Sequence, residues 1–301
     1  GNVLKEVGKL KEAENSFKKA IELNKNLADA YFGLSLIELL KGDYESGLEH
    51  YEFRSKRRKA SPLHQNPNIK QVKHKKLMEG EKLLVISEQG LGDTLQYMRY
   101  IPYLKKQGFD ISFCAQEKLH SLIKASGIDQ EPLTPEQSNS VSEGHWIPLL
   151  SIPRSLEIKP SNPVVSEPYI FSTDELKMKW KNILSTERRP IIGINWQGSL
   201  AMEKVSYQGR SIPLKNFSKL TDQNEITMIS LQKGYGSEQL DLCSFKNMFV
   251  ECQSQIDATW DFLENAAIID NCDLIITCDT SIAHLAAGMG KQVWLLLRDI
   301  P

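Results

Sequence analysis

The chain has 301 residues, of which 41% are hydrophobic and 25% are charged, and its formal net charge is −1. This is the composition of a globular protein with room for two domains, and a charge so near zero does not point to a nucleic-acid partner. No run approaches the roughly 18 apolar residues of a membrane span, and the polar N-terminus is unlike a secretory signal. We therefore expect a cytoplasmic protein without a transmembrane segment, and the inner membrane surface is a second place where it would act.

The cysteines are odd in number, scattered, and free of any C-x-x-C pair. This pattern predicts reduced and mostly buried thiols, and it argues against a zinc site. The positions are Cys114, Cys243, Cys252, Cys272 and Cys278.

An internal repeat with an offset of 34 residues occupies the first part of the chain. This offset is the tetratricopeptide period, so we predict helical repeats over residues 1–58, a surface suited to a protein partner. Such repeats usually need about three units for stability, and fewer than two are visible. Either further repeats precede them or the hairpins dock on the next domain. The matching positions are Gly8, Ala13, Phe17 and Ala20 in the first unit and Gly42, Gly47, Tyr51 and Arg54 in the second.

A basic stretch follows the repeat, with nine Lys or Arg residues, no acid and two prolines. An anionic partner such as lipid headgroups or nucleic acid is one interpretation. Because no aromatic residues are interleaved, we favour a solvated linker over residues 59–80. The basic residues are Arg54, Lys56, Arg57, Arg58, Lys59, Lys70, Lys73, Lys75 and Lys76.

The first α/β unit opens with an apolar strand at 82–87 and continues into a helix at 94–106. The turn between them contains Gly90, Gly92 and Asp93. It lacks the third glycine of a dinucleotide fingerprint, and no acid ends the following strand, so a dinucleotide site is poorly supported. We expect the glycines to let a substrate approach the backbone in a first Rossmann-like domain at 81–170.

The second α/β unit spans residues 171–301. Alternating strands and helices predict a parallel sheet with crossover helices, and ligands of such sheets gather at the carboxyl ends of the strands. Predicted strands lie at 190–196, 227–231, 248–250, 274–278 and 292–297, and predicted helices at 213–220, 237–242 and 260–269.

Polar residues follow several of these strands. The turn after 274–278 leads into a helix, whose first N–H groups and positive dipole end favour a phosphate. The alternative is that Asp279 and Thr280 simply cap that helix. Residues that would converge on a diphosphate are Trp196, Gln197, Gly198, Arg210, Ser211, Gln232, Lys233, Gly234, Asp279 and Thr280.

Five segments, in this order, resemble the glycosyltransferase family that includes the lipopolysaccharide heptosyltransferases. The resemblance runs from Gly8 to Pro301 and is best to the branch in which tetratricopeptide repeats precede the transferase. It implies an α/β fold of the GT-B type, with two Rossmann-like domains and the nucleotide-sugar held mainly by the second. The segments are Gln89–Thr94, Trp196–Gly198, Arg210–Leu214, Ser230–Gly234 and Asp279–Ala286.

The resemblance also implies roles for individual residues. Asp93 would be the catalytic base that deprotonates an acceptor hydroxyl, and the segment from Thr280 through Ser281 to His284 would bind the diphosphate. Arg210 and Lys233 would supply positive charge, and Glu238 would match a ribose-binding acid. The implied activity is inverting, metal-independent transfer from a nucleotide-diphospho-sugar, with no other cofactor, to a glycan, lipid-linked or protein acceptor.

Two other functions stay open at this stage. One is a tetratricopeptide adaptor whose transferase-like domain is degenerate and binds nucleotide or protein without turnover. The other is a transferase that acts on protein side chains. The family continues beyond the position of Pro301, so we expect a truncated second domain. Individual residues have structural alternatives: Asp93 as a helix cap, Arg210 as a surface cation, and His284 and Trp196 as packing residues.

Overall fold

The computed structural model describes residues 1–60, 63–72, 77–78, 80–199, 203, 209–221 and 226–298. A helical N-terminal part precedes two parallel sheets, which confirms the predicted mixed α/β class. The α-helices are α1 Asn2–Glu6, α2 Leu10–Leu23, α3 Ala28–Leu40, α4 Tyr44–Tyr51, α5 Leu91–Tyr97, α6 Tyr100–Lys106, α7 His120–Ala125, α8 Pro135–Ser138, α9 Ile152–Ser155, α10 Asp174–Ile183, α11 Gln253–Asp257, α12 Phe262–Asp270 and α13 Ser281–Gly288.

The strands are β1 Lys70–Gln71, β2 Lys82–Ile86, β3 Asp110–Cys114, β4 His145–Pro148, β5 Ile191–Asn195, β6 Thr227–Ser230, β7 Leu274–Cys278 and β8 Val293–Leu296. Short 3-10 helices lie at Glu52–Lys56, Glu117–Leu119, Leu149–Ser151, Leu214–Thr221, Ser237–Leu240 and Lys246–Met248. No helix in the described ranges is long and apolar enough to span a bilayer.

The N-terminal helical segment, residues 1–56, packs α2 on α3 and α3 on α4. Its small core is built from Ala13, Phe17 and Leu34, because α2 presents its apolar residues on one face. Gly8 and Gly42 both adopt positive φ, 75° and 82°, where the chain turns into α2 and α4. The segment is helical as expected, and its assignment to tetratricopeptide repeats stays a prediction.

The first lobe comprises the sheet β1-β4-β2-β3 with α5–α9, and all of its strand pairs are parallel. The strand Lys70–Gln71 lies in the stretch that we predicted to be a linker, and it pairs with β4 at His145 and Trp146. Arg54, which we assigned to the solvated basic stretch, is buried with 5% exposure. Lys73, Lys75 and Lys76 of that stretch lie outside the described residues.

The second lobe comprises the sheet β6-β5-β7-β8 with α10–α13, again with parallel pairs. Strand β5 is buried along its whole length because both faces of the sheet are covered. The predicted strand at 248–250 is wrong, since only an isolated bridge joins Met228 and Phe249. The helix predicted at 94–106 is two helices, α5 and α6, and those predicted at 213–220 and 237–242 are 3-10 helices. The predicted domain limits themselves stay predictions.

One apolar core runs through both lobes. It contains Leu95 and Phe113 from the first lobe and Ile268 and Leu285 from the second. Helix α5 packs against α13, and α7 packs against α12. The carboxyl end of β2 therefore lies opposite the carboxyl end of β7, which brings two of the predicted site segments face to face.

Candidate functional site

The start of α13 is the centre of the candidate site. Thr280 occupies the N-cap position with an extended backbone, φ −140° and ψ 175°, and the helix has no side-chain cap. The hydroxyl of Thr280 instead donates to Oδ1 of Asn195 at 2.9 Å. Thr280 is therefore the N-cap residue by position, as the alternative held, but its side chain does not cap the helix. The first N–H groups of α13 face the turn without a capping side chain, which is the arrangement that favours a bound anion.

A hydrogen-bonded chain joins the ends of three strands beneath this turn. Asn195 at the end of β5 donates through Nδ2 to Oε1 of Gln232 at 2.9 Å, and the same oxygen accepts the backbone N–H of Gln197 at 3.0 Å. Asn195 and Gln232 are each only 4% exposed. Since buried amides with satisfied bonds hold a fixed geometry, the chain fixes Thr280 relative to the loops after β5 and β6.

Sequence reasoning did not assign Asn195 to the site. Asn195 ends an otherwise apolar strand, Ile191-Ile192-Gly193-Ile194, and that polar ending is the feature that would have identified it.

Arg210 lies against the backbone of the loop that follows β5. A Cβ on Gly198 would overlap Nη2 of Arg210, so the guanidinium rests on the glycine. Gly198 donates its N–H to Oγ of Ser211 at 3.2 Å, and that hydroxyl donates to the Glu203 carboxylate. Burial raises the pKa of the Cys278 thiol to about 12, and the charge of Arg210 opposes that rise. Because Gly198 follows β5 and β5 is the neighbour of β7 in the sheet, the cation lies at the same sheet edge as the end of β7.

Asp93 lies on the first lobe, in the first turn of α5. Its Oδ2 accepts the N–H of Gly90 at 2.9 Å, and Gly90 is the N-cap residue while Asp93 is the third residue of the helix, so the alternative in which Asp93 is the N-cap is wrong. Burial raises the pKa of the Asp93 carboxyl, the hydrogen bonds from Gly90 and its own N–H lower it, and the charges of Glu88 and Asp279 raise it again. The net effect is a more basic carboxylate than an ordinary aspartate, which suits a general base.

The first turns of α5 and α13 meet at Gly92. A Cβ at this position would lie 3.0 Å from Cδ2 of His284 and 3.5 Å from Cα of Ser281. Burial lowers the pKa of His284, the charge of Asp279 raises it and that of Arg99 lowers it, and the net direction is down. The structure thus brings Gly90, Gly92 and Asp93 together with Asp279, Thr280, Ser281 and His284.

Four other predicted site residues have structural contacts of their own. Trp196 is wholly buried and donates through Nε1 to the Gly236 carbonyl at 3.1 Å, so its assignment to the sugar site is wrong. Gln197 accepts from Nε2 of Gln239 at 3.1 Å, and Glu238 accepts the N–H of Gly236 at 2.8 Å.

Lys233 is the fourth predicted site residue with a structural contact of its own. It donates to the Ile256 carbonyl, and burial lowers its pKa to about 8. Its ammonium is therefore directed at a backbone carbonyl and not at the start of α13.

An exposed aromatic pair that the sequence did not bring forward lies near the loop after β6. Trp260 is 67% exposed and its ring is 3.7 Å from where a Cβ of Gly234 would lie, and Tyr235 is 57% exposed. The next residue, Asp261, accepts a hydrogen bond at 2.7 Å from Oγ of Ser121, which belongs to the first lobe. Trp260 therefore stands where the two lobes meet at the surface.

In the part of the chain that the structure describes, no three or more His, Cys, Asp or Glu side chains are placed to hold a metal ion. The five cysteines are free thiols; Cys114, Cys272 and Cys278 are buried, and the other two are half-buried.

No protein-family model and no curated protein matches the chain. Among solved structures, a glycosyl transferase family 9 protein from Veillonella parvula DSM 2008 is similar over 73% of this chain and 86% of that one, with 12% identity and a TM-score of 0.49. The ADP-heptose lipopolysaccharide heptosyltransferase II of E. coli is similar over 71% and 84%, with 13% identity and a TM-score of 0.44.

The iron-containing dodecameric glycosyltransferase TibC from enterotoxigenic E. coli H10407 is similar over 73% of this chain and 59% of that one, with 14% identity and a TM-score of 0.42. Similarity at this level assigns no activity to the chain. The function is therefore argued from the geometry of the site.

Proposed function

We propose that the protein is an inverting, metal-independent glycosyltransferase of the GT-B type, which moves a sugar from a nucleotide-diphospho-sugar to an acceptor hydroxyl. One observation carries the proposal: the uncapped start of α13 lies opposite a half-buried carboxylate with a raised pKa, Asp93, on the other lobe. One side suits a departing diphosphate and the other suits an acceptor that must lose a proton.

The leaving diphosphate would rest at the start of α13. Negative charge builds on its oxygens as the bond to the sugar breaks, and fixed N–H donors and a cation stabilise that charge. Ser281 and Thr280 frame these donors, and Arg210 near the end of β7 supplies the cation. The N–H donors and the cation would stabilise the charge of the leaving diphosphate, which other transferases stabilise with a metal ion.

Asp93 would act on the acceptor. The acceptor O–H gives its proton to the carboxylate, its oxygen forms the new bond to the anomeric carbon, and the bond from that carbon to the diphosphate breaks. Attack from the face opposite the leaving group inverts the anomeric centre. The hydrogen bond from Gly90 N–H supports this role, because it holds the carboxylate in one orientation within the turn.

The exposed rings of Trp260 and Tyr235 offer a stacking surface for the nucleobase or a sugar. Glu238 remains a candidate for the ribose, since it is exposed on the same loop. The acceptor would be a glycan, a lipid-linked sugar or a protein, and the helical segment would recruit it or a protein partner. The cytoplasm and the inner membrane surface are where such donors and acceptors meet.

Binding to a panel of ADP, UDP and GDP and their sugars tests the proposal. Two of the similar structures are described with ADP-heptose, so ADP-sugars are included in the panel. At least one member is expected to raise the melting temperature and to bind in calorimetry, with release of the diphosphate when an acceptor extract is added. Absence of binding by every member would refute the transferase and favour the adaptor.

A further inference from the structure

The N-terminal helical segment joins the first lobe through a buried ion pair. Arg54 donates through Nε to Oε2 of Glu88 at 3.0 Å and through Nη2 to Oε1 at 2.6 Å. The two side chains are 5% and 3% exposed. This is the bidentate geometry that fixes a carboxylate in both distance and angle.

Further bonds hold the guanidinium in place. Arg54 donates through Nη2 to Oγ of Ser151 at 2.8 Å and through Nη1 to Oε1 of Glu52 at 3.0 Å. Ser151 in turn donates to Oε2 of Glu52 at 2.9 Å, and Leu150 N–H donates to Oε1 of Glu88 at 3.3 Å. Every group in this network is thereby fixed relative to its neighbours.

Glu88 and Gln89 are the first residues of the turn that leads to Asp93. Gln89 adopts φ +62°, a conformation that a residue with a side chain rarely takes and that its surroundings must enforce. Its Nε2 donates to Oη of Tyr51 at 3.1 Å, and its carbonyl accepts from Nε2 of His64 at 3.1 Å. The helical segment therefore holds both residues that precede Gly90, and Gly90 N–H holds Asp93.

A buried ion pair gives little net stability over apolar packing of the same volume. An arginine in this place is better explained by geometry than by stability. In the first repeat unit the corresponding position is Ala20, so the arginine is peculiar to the unit that contacts the turn.

We propose that Arg54 is a positioning residue for the transferase site: with Tyr51, it holds the turn from Glu88 to Asp93 in the conformation that aims the Asp93 carboxylate at the acceptor. This inference rests on the proposed function for the identity of the base. It makes the helical segment a working part of the catalytic lobe in addition to any role in recruitment.

Four variants of the full chain test the inference. Arg54→Met removes the bidentate pair, and Tyr51→Phe removes only the hydroxyl that Gln89 contacts. Arg154→Met is the control, because Arg154 bonds Glu49 at 2.9 Å and joins the same two parts of the molecule without contacting the turn. Arg54→Lys keeps the charge without the bidentate geometry.

Deuterium exchange in the peptide covering residues 87–95 reports the turn directly. Arg54→Met is expected to exchange about 10-fold faster there, and Tyr51→Phe about 3-fold faster, while Arg154→Met matches the wild type. Turnover of the best nucleotide-sugar is expected to fall about 10- to 100-fold in Arg54→Met, with the affinity for the nucleoside diphosphate changed less than about 2-fold. Arg54→Lys should recover only part of this loss.

Unchanged exchange in Arg54→Met, or equal losses in Arg154→Met, would overturn the inference. If Arg54→Met does not fold, Tyr51→Phe decides, since loss of one hydroxyl leaves the core intact; wild-type exchange and turnover in that variant count against the inference. If the wild type binds no nucleotide, the proposed function fails, while the exchange measurement still tests how the turn is held.

Discussion

The surroundings of Asp93 shift the pKa of its carboxyl in opposite directions. Burial raises the pKa, the backbone N–H groups lower it, and the nearby charges of Glu88 and Asp279 raise it. A carboxylate of this kind is basic enough to take a proton and is still held in one place by Gly90. The residue is thus suited to catalysis and unfavourable for stability.

Replacing Asp93 with Asn tests the base directly. Asn keeps an oxygen for the Gly90 N–H but cannot take a proton, so turnover is expected to fall about 10²- to 10⁴-fold. The proposed diphosphate site is on the second lobe, and nucleotide affinity in calorimetry should therefore stay near the wild-type value. Retained turnover would show that another group is the base.

The raised pKa of Asp93 also predicts a direction for the pH dependence of stability. The folded state binds the proton more tightly than the unfolded state, so this group stabilises the fold at low pH and that contribution is lost as pH rises through the folded pKa. Asp93→Asn should therefore unfold at higher urea concentration than the wild type at pH 7, with the difference shrinking toward pH 4. A lower midpoint at pH 7 would contradict this sign.

The contact between Gly198 and Arg210 gives a second test at the residue scale. Gly198→Ala places a methyl group where the guanidinium lies, and the flexible side chain must move. Affinity for a nucleoside diphosphate is expected to fall about 10-fold in calorimetry, since a charge-assisted bond is lost. Arg210→Met should produce a similar loss. If only Arg210→Met weakens binding, the contact of the guanidinium with Gly198 is not required for nucleotide affinity.

The packing of helix α5 against helix α13 joins the two halves of the candidate site. Each helix begins at the carboxyl end of a strand, and Gly92 allows the two first turns to meet at His284. Because Thr280 bonds Asn195 instead of capping α13, the fixed hydrogen-bonded chain in the second lobe sets where that helix begins.

Gly92→Ala is expected to separate the two helices slightly. Its Cβ would be 3.0 Å from Cδ2 of His284, a contact that overpacks the interface and costs about 1–2 kcal/mol in urea unfolding. Turnover should fall more than nucleotide affinity, because the distance between the lobes changes. The double variant Gly92→Ala/His284→Ala should recover stability, and an additive loss would exclude the contact as the cause.

Across the whole molecule, the continuous apolar core decides how the lobes behave. Leu95, Phe113, Ile268 and Leu285 belong to one cluster, so neither lobe can unfold without exposing surface of the other. Calorimetry should therefore give a single transition for the two lobes whose calorimetric and van't Hoff enthalpies agree. Two separate transitions for the lobes would contradict the shared core.

The sequence alone determined most of the secondary structure and the parallel sheets. Apolar strands that alternate with helices leave few ways to bury both faces, and the polar residues after those strands must meet at one edge. The two facing domains that the family resemblance implies would bring the turn with Gly92 and Asp93 toward the turn with Thr280 and His284, and the structure brings these turns together. Their roles in transfer stay predictions.

Only the tertiary structure decided which polar groups are free to bind a ligand. Trp196 and Lys233 follow strands whose ends lie at the site, but each side chain donates its hydrogen bond to a backbone carbonyl. The Thr280 hydroxyl donates to Asn195, and the start of its helix is left without a capping side chain. Local periodicity cannot reveal such competition, because each partner is tens of residues away along the chain. The same holds for Arg54, which the sequence pattern assigns to a solvated stretch but which is buried against Glu88 at the start of the turn that leads to Asp93.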